Sequence, residues 1–100
     1  MIAIIFRYDV RDPQDFAEAY GPNGEWAKFF RQGAGYIGTE LLQDVDELDR
    51  FVVIDRWESA EAYNAFVTEH QDEYLQRTDD SRLYYVQELR LGTFANIWAE

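Results

Sequence analysis

Arg50-Phe-Val-Val-Ile-Asp-Arg-Trp-Glu-Ser-Ala-Glu-Ala-Tyr-Asn-Ala-Phe66 changes its period part-way along. Up to Glu58 it alternates. Phe51, Val53, Asp55 and Trp57 share one face, and Val52, Ile54 and Arg56 share the other. That period of two predicts a strand over Arg50–Glu58. Ser59 then offers an N-cap hydroxyl, and Glu61 follows in the first turn, where a negative charge suits the helix dipole. Tyr63, Phe66, Val67, His70 and Tyr74 fall at helical spacing, an amphipathic stripe that predicts a helix fading near Thr78-Asp79-Asp80-Ser81. A strand therefore runs into a helix with almost no loop between them.

Upstream, Tyr36–Val45 reads as a strand, and the acidic segment Asp44–Asp49 as the turn joining it to the next one in an antiparallel hairpin. Ile2–Val10 is a first strand, apolar on both faces. Asp12 followed by Pro13 is a helix start, and Phe16, Ala19 and Tyr20 give a short apolar face. Gly21-Pro22-Asn23-Gly24 interrupts it, and Trp26, Phe29 and Phe30 resume it, so the first helix is expected in two parts. Leu83–Phe94 is the last strand, with Gly92 as a bulge or kink. Residues 94–100 form a C-terminal tail whose Ile97 and Trp98 are too apolar for water.

The order β-α-β-β-α-β predicts an α+β, ferredoxin-like fold. A four-stranded antiparallel sheet would be covered by helices on one face. The hundred residues permit one domain, 1–100. Each strand puts apolar residues on both sides, whereas a sheet with one wet face should alternate cleanly. The uncovered face is thus expected to meet a second copy of the chain, sheet against sheet, in a homodimer.

Composition removes whole classes of function. Lys and Arg number 9 against 20 Asp and Glu, a net charge of −11, which suits neither a nucleic-acid backbone nor an anionic membrane. Yet 47% of residues are apolar, too many for a disordered chain. Without cysteine there is no disulfide, thiolate nucleophile or thiolate metal site. No apolar run approaches the ~20 residues of a membrane span, and Met1–Phe6 lacks the basic flank of a signal peptide. A soluble, cytoplasmic protein is the expectation. Asp44–Asp49 lacks the central glycine of a cation loop, and no phosphate loop or serine-nucleophile motif occurs.

Gly35-Tyr-Ile-Gly38, opening the second strand, and Trp57-Glu-Ser-Ala-Glu-Ala62, leading from the third strand into the helix, resemble the antibiotic-biosynthesis-monooxygenase-like group. The resemblance spans roughly residues 1–94. It implies a dimeric α/β barrel, and it admits several chemistries: cofactor-free oxygenation of anthrones and quinols, haem degradation, isomerisation and decarboxylation. The haem-degrading branch uses a Trp nine positions after the strand-three Trp, a His ten further on, and an Asn in the first strand. Here those places hold Phe66 and Gln76, and residues 1–10 contain no Asn. Haem degradation is therefore not expected.

The resemblance implies a cofactor-independent monooxygenase acting on a small electron-rich aromatic, such as a quinol, an anthrone or a polyketide-like ring. No cofactor and no metal are called for. A non-catalytic small-molecule-binding dimer, or an isomerase or decarboxylase on this fold, needs the same residues. His70, the only histidine, is the candidate base, since its ordinary pKa lies near neutrality. Tyr63 and Tyr74 are the candidate hydrogen-bond donors to a nascent anion. Trp26, Phe30 and Phe66 are candidate contacts to a flat hydrophobic ligand, although the core needs such residues too. Trp57 joins them, and the resemblance makes it chiefly a packing residue. Asp55 and Arg56 lie on opposite faces, so one of them must enter an apolar layer. Arg7 and Arg90 are candidate partners for it or candidate oxyanion stabilisers, and an ordinary intersheet salt bridge at the dimer interface is the expected role of each.

Overall fold

The computed structural model describes residues 1–98; Ala99 and Glu100, the end of the expected tail, lie outside the described residues. The chain forms β1 (Ile2–Val10), α1 (Pro13–Tyr20), α2 (Glu25–Phe30), β2 (Tyr36–Gln43), β3 (Arg50–Trp57), α3 (Ala60–Glu69), α4 (Gln71–Asp80), a 3₁₀ turn (Ser81–Tyr84) and β4 (Tyr85–Ala95). The strands make one antiparallel sheet in the order β2-β3-β1-β4. This is the ferredoxin-like α+β architecture expected from the element order.

Local chemistry sets the boundaries. Asp12 caps α1 by accepting the Gln14 and Asp15 N–H groups, and Ser59 caps α3 by accepting that of Ala62. Asp44 accepts the N–H groups of Asp46 and Glu47 at 2.8 and 3.0 Å. This tight turn stops β2 at Gln43, two residues short of the expected Val45. β3 ends at Trp57 rather than Glu58. The first helix is split as expected, with Gly21–Gly24 between its halves.

Three boundaries differ more. The second helix is not continuous: it breaks at His70, whose φ of −110° and ψ of 32° are not helical. The break re-aims α4, so that Tyr74 meets Trp26 at 5.8 Å between ring centroids. Ser81 accepts a hydrogen bond from Trp26 Nε1 at 2.9 Å, and this tie holds residues 81–84 in a 3₁₀ turn. β4 therefore begins at Tyr85, not Leu83. At its other end β4 extends through Ala95, and the Asn96 N–H donates to the Met1 carbonyl. The expected irregularity at Gly92 is present. Ile5 pairs with Gly92 and Phe6 with Arg90, leaving Leu91 as the extra residue of a bulge, and Gly92 has φ +146°.

Pairing register sorts side chains into two faces. Ile4, Phe6 and Tyr8 lie opposite Asp55, Val53 and Phe51 and face the helices. Phe16 and Tyr20 of α1 pack on one end of that layer. Phe29 and Phe30 of α2, with Phe66 of α3, pack on the other, around Trp57. The loop between α2 and β2 packs closely on Trp57 and α3 because Gly33 and Gly35 carry no side chain. A Cβ on Gly33 would stand 2.7 Å from the Trp57 ring, and one on Gly35 would stand 2.5 Å from Ala62 Cβ. The opposite face carries Ile5, Ile54, Leu42, Leu89 and Phe94, the last three exposed.

Candidate active site

A cavity of about 100 Å³ lies between the helix layer and the sheet. β1 and β3 supply its floor with Ile4, Phe6, Tyr8, Val53 and Asp55. α2, α3 and α4 cover it with Trp26, Phe30, Tyr63, Tyr74 and Thr78. Ser81, Tyr85 and Glu88 form its side toward β4. Glu88 is exposed, so the cavity meets solvent there.

Asp55 is the only carboxylate on the floor. The alternation of β3 that buries Val53 and Trp57 turns Asp55 to the same face. Its candidate arginine partner is absent among the described residues. Arg7 instead pairs with Asp9 at 3.4 Å on the open face, Arg90 donates to Thr93 Oγ1 at 2.6 Å, and Arg56 pairs with Glu40 at 2.8 Å. What Asp55 has is Thr39 Oγ1, donating to Oδ1 at 2.6 Å from the cross-strand position on β2. One hydroxyl does not replace lost hydration. Burial pushes the carboxyl up to about 6, and the Thr39 hydrogen bond offsets only part of that rise.

Two phenols stand over this floor. Tyr63 and Tyr74 approach hydroxyl to hydroxyl at 3.4 Å, a long hydrogen bond that leaves both oxygens capacity for another partner. Burial first, and then the Tyr74 hydrogen bond, push the Tyr63 phenol well above its ordinary range, so it stays protonated as a donor. Tyr8 donates to Glu88 Oε2 at 2.7 Å; burial, the Tyr20 phenol and this bond keep it protonated as well.

Four residues picked from the sequence, Tyr63, Tyr74, Trp26 and Phe30, come together around the cavity. Three do not. Trp57 is wholly buried, and Phe66 nearly so, inside the aromatic core. The His70 ring lies against Phe66 at 4.4 Å and Phe29 at 6.0 Å and is not part of the cavity wall. Asp55, Tyr8 and Glu88 were not singled out as site residues. The available signal was Asp55 itself, an acid on the apolar parity of a buried strand.

No three His, Asp or Glu side chains among the described residues converge as metal ligands, and no described helix is long and apolar enough to cross a membrane. The sequence profile described as antibiotic biosynthesis monooxygenase matches residues 1–73. The chain belongs to that family. Among solved structures it is similar to SnoaB, a cofactor-independent oxygenase from Streptomyces nogalater. A point variant of SnoaB superposes with a TM-score of 0.82 at 20% identity, covering 98% of this chain and 94% of that one. A second SnoaB structure gives 0.77 at the same identity and coverage. A Nitrosomonas europaea protein carrying the same family description gives 0.71 at 19% identity, covering 98% of this chain and 100% of that one. At such identities the likeness fixes the fold and transfers no residue roles. A search of curated proteins found no match.

Proposed function

We propose that this family member is a cofactor-independent oxygenase of a small electron-rich aromatic, with Asp55 as the base. The observation that carries the reading is a carboxylate on the floor of an aromatic cavity, beneath two phenols and with no cation partner among the described residues, a setting in which burial raises its pKa to about 6. The volume narrows the substrate. The cavity of about 100 Å³ is smaller than the roughly 150 Å³ that holds one benzene, so it has no room for a tricyclic anthrone and takes a single ring only with one edge projecting past Glu88. A hydroquinone is a substrate of that size.

Asp55 removes a hydroxyl proton, and the hydroquinone anion passes one electron to O₂. Recombination of the semiquinone and superoxide forms a ring C–O bond, and the proton returns from Asp55 to the peroxide. Loss of water leaves a hydroxyquinone: C₆H₆O₂ plus O₂ gives C₆H₄O₃ plus H₂O, the substrate supplying every electron. Tyr63 and Tyr74 donate hydrogen bonds to the charge as it forms, while Trp26 and Phe30 hold the ring. The test is oxygen uptake with methylhydroquinone. Uptake above autoxidation, falling about 10²–10⁴-fold in Asp55→Asn, supports the assignment. Binding that quenches Trp26 fluorescence without uptake would leave only a binding protein.

The open sheet face supports a homodimer. Leu42, Leu89 and Phe94 are 44–50% exposed there, beside Ile5 and Ile54, and the charges on the same face are paired within the chain (Arg7 and Arg50 with Asp9, Arg56 with Glu40), a surface that a second copy of the same face can cover.

A further inference from the structure

Asp55 is reached from two sides. On the cavity side it faces the ligand space. On the other side Thr39 Oγ1 donates to its Oδ1 at 2.6 Å, and Tyr36 Oη stands 2.5 Å from Thr39 Oγ1. Tyr36 opens β2 and is only partly covered, beside the exposed Arg31. Three oxygens thus form an unbroken line from the cavity floor, through the β2–β3 pair, toward the outer edge of the sheet. A ligand seated in the cavity would stand between Asp55 and the opening beside Glu88.

We propose that Asp55, Thr39 and Tyr36 form a proton relay that keeps the cavity carboxylate in exchange with solvent while the cavity is occupied. The proposal rests on the reading of Asp55 as a base, and it assigns Thr39 and Tyr36 as positioning residues that never touch substrate. With Asp55 ionised, Tyr36 donates to Thr39 and Thr39 donates to Asp55. With Asp55 protonated at Oδ1, the line reverses. The carboxyl proton passes to Thr39, the Thr39 proton passes to Tyr36, and the Tyr36 proton passes to water. Each oxygen loses one proton and gains one, except that Asp55 loses one and water gains one. Thr39 serves because a hydroxyl both donates and accepts.

The other groups facing Asp55 do not provide such a line. From β1 come Ile4, Phe6 and Tyr8, and the Tyr8 hydroxyl is committed to Glu88. From α3 comes Tyr63, tied to Tyr74 of α4 and lying near Arg90 of β4.

The test needs no substrate. Carbon-13 NMR follows the Asp55 carboxyl carbon and the Tyr36 Cζ from pH 4 to pH 8, with assignments from Asp55→Asn and Tyr36→Phe. Reversal of the line requires Tyr36 Cζ to inflect at the same midpoint as Asp55. Thr39→Val should abolish the Tyr36 inflection and raise the Asp55 midpoint by about 1 pH unit, the worth of one hydrogen bond to a charged group. Thr39→Ser should restore both. A Tyr36 signal flat through the Asp55 titration, coupling that survives in Thr39→Val, or an Asp55 that does not titrate in this range would each overturn the relay. If Thr39→Val does not fold, co-titration in the native protein decides. Absence of oxygen uptake would count against the oxygenase reading alone and leave this result readable.

Discussion

Thr39 and Asp55 face each other across the β2–β3 pair, and their 2.6 Å hydrogen bond is the only polar contact of the Asp55 carboxylate among the described residues. A carboxylate so placed opposes folding when it is charged. Its pKa rises from 3.8 to about 6 on folding, so the folded state holds the proton more tightly than the unfolded chain. Asp55 therefore costs nothing below about pH 4 and destabilises increasingly as pH rises toward 6. Asp55→Asn keeps an acceptor for Thr39 and removes the charge. It should match the native protein in stability near pH 3.5 and exceed it by about 2–3 kcal/mol above pH 7. Urea unfolding at both pH values checks this. A gain that does not depend on pH would show that the carboxylate is not strained by burial.

The same carboxyl sets a pH dependence of rate. A base works only when ionised, so hydroquinone-dependent oxygen uptake should be half-maximal near pH 6 and vanish on acidification. A profile that is flat from pH 5 to pH 8 would remove Asp55 from the chemistry.

His70 and Asp55 make opposite predictions. The His70 ring packs on Phe66 and Phe29, away from the cavity. His70→Ala should cost about 1 kcal/mol of stability through lost aromatic contact and leave oxygen uptake unchanged. If uptake collapses while the fold survives, the base is His70 after all.

Gly33 tests the packing behind the site. An added methyl would meet Trp57 and Phe66 ring atoms at 2.7–2.8 Å, and neither buried ring can retreat. Gly33→Ala should lose about 1–3 kcal/mol, the usual cost of overpacking, and thermal melting reads it directly.

The open sheet face predicts self-association. Phe94→Glu places a charge beside Ala3 and Ile5 on the open face and should convert a dimer to monomers with the fold intact. Light scattering at low micromolar concentration with parallel circular dichroism checks it. A monomeric native protein would refute the homodimer.

Periodicity and caps determined most of the architecture. Alternation through Phe51, Val53 and Trp57, the Ser59 cap and the interruption at Gly21–Gly24 each act within a few residues, so they are written in the chain and appear in the structure. The same alternation placed Asp55 on the apolar side. Three things lay beyond it. The helix breaks at His70, a residue on the sequence stripe, and its ring packs on Phe66 and Phe29 instead of lining the cavity. The Asp55 partner proved to be Thr39, sixteen residues away in sequence and adjacent only through strand register. The Trp26–Ser81 bond, joining residues 55 apart, decided where β4 begins. Local backbone preference fixes elements, whereas a site is a meeting of side chains from several elements. Its volume, its hydrogen bonds and the pKa of its carboxylate exist only once those elements have packed.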